Sequence, residues 1–577
     1  MNELLLEPLK YYEKTGAPTH KQNVTEHFEK LLKESNVNVE QNRATVKKYK
    51  AEMLTVEKLR AKRAQKIALR VLMIVMIVLG GIALVASIFL FSEKVLYGWI
   101  AIAVGVVLLG VSIPLLVAKI NPEIKKVTEL VEKHEKKAAG IRIEAAKQTA
   151  ALNALFQEED TVRLIEKTLP TLDFEPCFTP ETCALLVHHC DWAEENDLQT
   201  SVLDTLSGRF EGNPFLYRRT RTHRMGTHVY HGTKVISWTE HYIDKDGRSR
   251  TRTRTQTLHA SVVKPKPEYS YKNVLFYGCQ AAPNLSFSRD PQHVERLTEK
   301  TREKKVQKGK KRLEEKSEES VGKGGSFQNM ANDEFEVLFG ATNRNHEVEF
   351  RVLYTPLAQC NTVDLLTSKV GYGDDFHFTK RRRCNIIVSE HGQHWTIDSS
   401  PQNYYSFDVD EIRRKFIDFN VRYFKSVFFD FAPLFSVPAY LEEGSYGLGD
   451  VEYPSHCTTY HHEVMANAIG ARTLAHSATR TETIFKTQFL SKGKNTDRVQ
   501  VTAYSYATQE RVDFVLVFGG DGRMHSVPVP WIEYIPLTRI TQILVEPPRG
   551  DGEKASREEL AKRAFVHGAS AWLLQEK

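Results

Sequence analysis

Two long apolar runs dominate the pattern of hydrophobic positions along the chain. Val71–Phe91 is a run of 21 residues without a charged side chain, and Val95–Ala118 is a second run of 24. A helix needs about 20 apolar residues to cross the hydrocarbon core of a bilayer, which is about 30 Å thick. Only three polar residues separate the runs, which leaves room for a turn. The pattern therefore predicts a transmembrane helical hairpin over residues 68–119.

The charges on either side of the hairpin predict its orientation. Ten Lys or Arg lie between Arg43 and Arg70, against two Glu, and six Lys lie between Lys119 and Lys137. The turn between the runs carries one Lys. Because positively charged flanks stay in the cytoplasm, we expect a multi-pass protein of the inner (plasma) membrane with both termini cytoplasmic.

Apolar residues also recur at steps of three and four before and after the hairpin. Such heptad-like stripes are typical of coiled coils. The hairpin would make the two helices leave the membrane side by side, so residues 1–67 and 120–168 are predicted to form an antiparallel helical stalk. The alternative is two separate amphipathic helices, one of them lying on lipid.

The pattern changes to period two within residues 169–293, a connector followed by a region rich in β-hairpins. Asp246-Gly247 predicts a hairpin turn. The strand after the turn alternates arginine with serine and threonine, and a loop of two or four residues would turn the arginine side outward. The sharper interpretation is an anion-binding row for lipid headgroups or nucleic acid; the plainer one, which we favour, is a solvated strand. The arginines are Arg248, Arg250, Arg252 and Arg254.

The remaining sequence predicts further α+β structure. Residues 294–326 hold eleven Lys or Arg and seven Glu between Val294 and Lys323, so they form an exposed helix or a disordered linker. Residues 327–440 are predicted to form an α/β domain with strands at Glu334–Phe339 and Glu347–Tyr354. Residues 441–577 are predicted to form a β-meander followed by a C-terminal helix, Ser556–Leu574.

Composition limits the function classes. The net charge of +7 over 577 residues is modest, and much of the excess lies beside the predicted spans, which favours lipid over nucleic acid as the partner. The seven Cys are widely spaced and odd in number, which indicates free thiols in a reducing compartment. No nucleotide-binding or serine-hydrolase motif is present, and no cofactor is expected.

One short segment concentrates possible metal ligands. These are His456, His461, His462 and Glu463, with Cys457 between the first two. The zinc-protease pattern H-E-x-x-H fails, because Ala466 stands where its second histidine belongs. Two histidines with a distant carboxylate could still bind zinc, although surface or hydrogen-bonding roles are favoured.

Four stretches of the chain resemble a group of uncharacterised bacterial inner-membrane proteins. They are THVYHGTKVISWTEHY and SVVKPKP in the hairpin region, and NDEFEVLFGATNRNHEVEFRVLYTPLAQ and VFFDFAPLFSVPAYL in the α/β region. The resemblance implies a helical stalk and two spans ahead of a cytosolic α+β region. It implies no activity and no catalytic residues.

These observations favour a non-enzymatic function. The leading hypothesis is a membrane-anchored scaffolding or binding protein that forms a homo-oligomer and binds an unknown protein partner. A membrane-tethered, zinc-dependent enzyme is the second hypothesis, and an oligomeric channel is the third. The channel is disfavoured because neither span contains an ionisable residue.

Overall fold

The computed structural model is an α+β protein that describes residues 6–93, 95–243, 248–325, 327–444, 446, 452–547, 564–566 and 569–574. The chain divides into two compact units. The helical unit comprises Thr25–Gln157 and Pro401–Phe419. The sheet unit comprises Met1–Val24, Glu158–Ser400 and Asn420–Lys577.

Long helices fill the first part of the chain. They are α1 (Pro8–Tyr11), α2 (Ala17–Glu34), α3 (Val39–Glu93), α4 (Val95–Leu115) and α5 (Asn121–Asn153). Two π-helical turns, Tyr12–Gly16 and Leu116–Ile120, join α1 to α2 and α4 to α5. The structure describes α3 up to Glu93 and α4 from Val95, and Lys94 of the predicted turn lies outside the described residues.

Two helices in this region are long and apolar enough to cross a membrane, and only 11% of the apolar window in each is buried. The core helix of a soluble protein would instead be mostly buried. Gly80 and Gly105 allow α3 and α4 to approach closely: a Cβ built at Gly105 would lie 3.0 Å from the Gly80 carbonyl oxygen. Small residues at such crossings are typical of packed helices in lipid.

Beyond the apolar segments, α3 and α5 contact each other through apolar and charged side chains. Val56, Val127 and Val131 form a small buried cluster. His134 Nδ1 lies 2.6 Å from a carboxylate oxygen of Glu52, which also pairs with Lys137 at 3.2 Å. Further ion pairs join Arg60 to Glu135 and Lys66 to Glu123.

The sheet unit contains a seven-stranded and a five-stranded antiparallel sheet. The strands of the first are β1 (Leu172–Glu175), β2 (Thr200–Phe210), β3 (Asn213–Ile243), β4 (Ser249–Gly278), β5 (Ser286–Arg289), β6 (Phe376–Arg381) and β7 (Cys384–Ser389). Their order is β1-β2-β3-β4-β7-β6-β5. Strands β3 and β4 pair along 29 positions, far beyond their neighbours, so much of this hairpin projects as a two-stranded ribbon.

Further α-helices follow α5 in the chain. They are α6 (Glu159–Thr168), α7 (Pro180–His189), α8 (Glu299–Gly322), α9 (Asp333–Phe339), α10 (Glu347–Leu353), α11 (Pro356–Thr367), α12 (Val409–Phe435), α13 (Thr459–Ile469) and α14 (Ala471–Leu474). The helical alternative for the charged segment is the one observed, in α8, where Lys310 pairs with Asp333 at 2.6 Å.

The strands predicted at Glu334–Phe339 and Glu347–Tyr354 were wrong, because both segments form helices, α9 and α10. Each helix has a side-chain N-cap. The Asn332 side-chain oxygen accepts a hydrogen bond from the Phe335 amide at 3.1 Å, and His346 Nδ1 accepts one from the Glu349 amide at 3.2 Å. Such caps satisfy amides at the start of a helix that a strand would pair differently.

The second sheet consists of β8 (Ile484–Lys492), β9 (Asp497–Phe518), β10 (Met524–Glu546), β11 (Ala564–Val566) and β12 (Ala569–Leu573), in the order β11-β12-β10-β9-β8. The predicted meander is present in β8, β9 and β10. The predicted C-terminal helix was wrong over its second half, where β12 pairs with β10; residues 548–563 lie outside the described residues. This sheet packs on α13 through a core that includes Met465, Phe485 and Val501.

Candidate functional site

Two long β-hairpins of the sheet unit stack on each other and form a double arm. The arm consists of the β3–β4 ribbon and the β9–β10 ribbon, and its core contains Ile236, Leu258 and Val527. Gly232 is required for this close contact, because a Cβ at that position would lie 2.1 Å from the Pro528 carbonyl oxygen. Lys264 also joins the layers through a 2.6 Å ion pair with Asp513.

The outer face of the β9–β10 ribbon carries an exposed apolar strip. Phe514, Leu516 and Phe518 are 69%, 65% and 66% exposed, and side chains two residues apart on a strand share a face. Val512 extends the strip along β9, and Met524 lies opposite Phe518 on β10. An apolar patch of this kind on a protein surface marks an interaction site.

The arginine row lies on the other ribbon, and its predicted register was wrong. Arg250 pairs with Tyr242 and Arg254 pairs with Trp238, so the arginines share a face with the aromatic side chains and the threonines occupy the opposite, exposed face. Five residues separate Ile243 from Ser249, and an odd number of loop residues reverses the faces relative to a loop of two or four. Arg254 forms a 2.6 Å ion pair with Glu240, and all four arginines are exposed.

The candidate metal ligands lie at the start of α13, but only one of the four joins a ligand cluster. Cys457, His462 and Asp497 each offer one ligand atom, and these three atoms lie within 4.8 Å of one another. Asp497 accepts a hydrogen bond from the Cys457 amide at 2.8 Å, and His462 Nε2 lies 3.1 Å from the same carboxylate oxygen. All three residues are buried.

The other three predicted ligands have different surroundings. Glu463 forms a buried 2.6 Å ion pair with Lys486 and accepts a hydrogen bond from the Val202 amide at 2.8 Å. His461 is buried in the first turn of α13. The His456 ring stacks on Phe489 at 3.9 Å between centroids, beside the cluster.

The electrostatics of the cluster follow from burial and from the shared carboxylate. Burial raises the pKa of the Cys457 thiol, and the adjacent Asp497 raises it further. Burial also acts to raise the pKa of Asp497, but hydrogen bonds from His462 and from the Cys457 amide outweigh it and hold that pKa below its usual value. Without a bound cation the cluster thus contains a neutral thiol beside a carboxylate.

A second buried network, which the sequence did not indicate, surrounds His391. Its Nδ1 atom lies 2.6 Å from Asp375 and its Nε2 atom 3.6 Å from Asp430. Tyr217 donates a hydrogen bond to Asp430, and the Tyr372 ring stacks on the imidazole at 3.8 Å. Burial lowers the pKa of His391, but the two carboxylates outweigh burial and raise this pKa to about 10.

Comparisons with known proteins add no relative: no protein-family model, no curated protein and no solved structure matches the chain.

Proposed function

We propose that the protein is a membrane-anchored binding or scaffolding protein of the bacterial inner membrane, multi-pass, with both termini in the cytoplasm. The observation that carries the proposal is the pair of apolar helices whose side chains are left exposed in the protein. Exposing that much apolar surface to water is unfavourable, and lipid removes the cost. The basic residues that precede the apolar part of α3 and those that follow α4 favour a cytoplasmic location for both flanks.

The polar portions of α3 and α5 would then form an antiparallel coiled-coil stalk on the cytoplasmic side. The buried valine cluster and the ion pairs of Glu52 with His134 and Lys137 support this arrangement. Exposed ion pairs contribute little to stability, so their use lies in fixing which residues face each other. Association of stalks or spans from several chains would make the protein a homo-oligomer.

The double arm supplies the binding surface in this proposal. Beyond Tyr504, β9 extends past its paired stretch with β8, and the apolar strip lies on this extension. A partner with an extended apolar segment fits best, since such a segment can add to the β9 edge and place alternate side chains beside Leu516. Backbone hydrogen bonds would supply affinity and the strip would supply selectivity.

Cysteine accessibility tests the anchor. Cys360 is the exposed cysteine of the seven, so it reports on the side of the sheet unit without engineering. A membrane-impermeant maleimide should label Cys360 in inside-out vesicles and leave it unlabelled in intact spheroplasts. A variant that carries Ser92→Cys and lacks Cys360 should be labelled in intact spheroplasts and should stay unlabelled in inside-out vesicles. Labelling of Cys360 from outside, or release of the protein from membranes by alkaline carbonate, would refute the proposed topology.

A photo-crosslinking amino acid tests the binding surface. Leu516 and Val235 provide a matched pair, since each is 65% exposed on a strand of the arm but only Leu516 belongs to the strip. The proposal expects a discrete adduct from position 516, joined to an extended apolar segment of the partner, and none from position 235. Identical adducts from both positions, or no adduct from either, would contradict it.

A further inference from the structure

We infer that Cys457, His462 and Asp497 bind one zinc ion. The inference goes beyond anchoring and partner binding, and its test is independent of theirs. Its basis is that three different ligand types from two separate chain segments meet within 4.8 Å in the interior of the sheet unit.

The fold holds the three side chains in place. Thr458 caps α13, since its hydroxyl oxygen accepts a hydrogen bond from the His461 amide at 3.2 Å. The cap fixes Cys457 just ahead of the helix and His462 one turn inside it. Asp497 begins β9, and it is tied to the helix start by the 2.8 Å hydrogen bond from the Cys457 amide.

The arrangement differs from that of a catalytic triad. In a cysteine–histidine–aspartate triad the imidazole lies between the nucleophile and the carboxylate. Here the carboxylate is the shared group, because Asp497 contacts the Cys457 thiol as well as His462 Nε2. Side chains that converge on a common point are a ligand set, whereas side chains that form a linear relay are a triad.

Charge also favours a divalent cation at this point. A thiolate, a carboxylate and a neutral imidazole carry two negative charges together, and a divalent ion neutralises them in a buried site. His462 and Asp497 are only 1% and 3% exposed, so uncompensated charge there would be costly. Binding would release the thiol proton to solvent.

The ligand types select the metal. Sulfur and imidazole ligands disfavour magnesium and calcium, which prefer oxygen, and a cysteine–histidine–carboxylate set suits zinc. Tetrahedral zinc holds such ligand atoms about 3.4–3.6 Å apart. The observed 3.1 Å between His462 and Asp497 and the 4.8 Å upper limit for the set bracket this range. Three protein ligands leave one position for water.

Metal analysis of the detergent-purified full-length protein tests the inference. We expect about one zinc per chain, and after removal by a chelator one equivalent of Co²⁺ should bind with a sulfur-to-cobalt charge-transfer band. Cys457→Ser should abolish that band and Asp497→Asn should weaken Co²⁺ binding about 100-fold or more. Cys360→Ser, which removes an exposed thiol, is the matched control and should behave as the wild type.

The wild-type protein alone can overturn the inference, so it stays testable even where a variant fails to fold. Failure of the chelated wild type to bind Co²⁺, or binding without a charge-transfer band, would refute the site. Full metal content in folded Cys457→Ser and Asp497→Asn proteins would place the ion elsewhere and would refute it equally. None of these results bears on the membrane topology, which Cys360 labelling reports.

Discussion

His391 offers the sharpest test of the electrostatics inside the sheet unit. Its imidazole lies between Asp375 and Asp430 and stacks on the ring of Tyr372, and Lys425 Nζ lies 4.9 Å from the centroid of that ring. Replacing His391 by Gln removes the positive charge and keeps a hydrogen-bonding side chain. The two carboxylates then remain buried without the cation that compensates them.

The magnitude follows from the pKa. A rise from the ordinary 6.5 to about 10 corresponds to about 5 kcal/mol of preference for the protonated imidazole. Removing one partner of a buried ion pair costs about 3–5 kcal/mol in other proteins, which is the same range. We therefore expect His391→Gln to lower the free energy of unfolding by about 3–5 kcal/mol at pH 6.

The pH dependence has a definite sign. Because the folded-state pKa of His391 is raised, its stabilisation is fully present below pH 6.5 and is lost as the pH rises through about 10. The gap in stability between wild type and His391→Gln should therefore be largest at pH 6 and should narrow progressively towards pH 10.

Denaturant unfolding of the detergent-solubilised protein, followed from pH 6 to pH 10, measures this gap. His394→Gln is the control, since His394 is exposed three residues further on and should change stability by less than about 0.5 kcal/mol. A gap that stays constant between pH 6 and pH 10 would show that His391 is neutral in the folded protein and would refute the reasoning.

Three further predictions concern other parts of the molecule. Gly105→Ala should destabilise the contact of α3 with α4 by about 1–3 kcal/mol, since its Cβ would lie 2.7 Å from a Leu84 carbon. Gly110→Ala is the control and should be neutral, because no atom lies within 4 Å of its Cβ. The two variants are compared by thermal unfolding in detergent. Lys486→Met should cost about 3–5 kcal/mol by leaving Glu463 buried and unpaired, and the double variant with Glu463→Gln should recover most of the loss in denaturant unfolding. Replacing the four arginines of the row by glutamine should weaken the binding of anionic liposomes to inside-out vesicles that contain the protein, measured by co-flotation. Unchanged binding would indicate that the row is a solvated strand.

The sequence predicted the features that depend on local composition. The apolar helices and the long hairpin each follow from periodicity over consecutive residues. The register of the hairpin did not follow, because one residue more or less in the turn after Ile243 exchanges the two faces. The short segments that became α9 and α10 depend on capping by Asn332 and His346, which periodicity does not register.

The candidate metal cluster shows the same limit. His462 and Cys457 are close in sequence, but Asp497 is 35 residues beyond His462 and enters the cluster only because β9 begins beside α13. The His391 network likewise joins a strand, a loop and a helix through residues more than 200 positions apart. No spacing rule relates such residues, since the fold alone brings them together.

The apolar strip lies outside the core that holds the two ribbons together. A single two-stranded hairpin is marginally stable in water, so stacking the ribbons through Ile236, Leu258 and Val527 accounts for their stability. The outer face of the β3–β4 ribbon mixes threonines with Val235 and Val263, which are 65% and 63% exposed. Because the strip lies on the outer face of β9, away from the stacked side of the ribbon, folding should not depend on it.

This position outside the core yields a final prediction. Replacing Phe514 and Leu516 by threonine places β-branched residues on the strand and leaves the buried face of the ribbon untouched. The double variant should change the free energy of unfolding by less than about 1 kcal/mol while abolishing the crosslink to a partner from the neighbouring Phe518 position. Val235→Thr is the matched change on the outer face of the β3–β4 ribbon. Loss of folding in the double variant would show instead that the strip stabilises the arm, and its role as a binding surface would have no support.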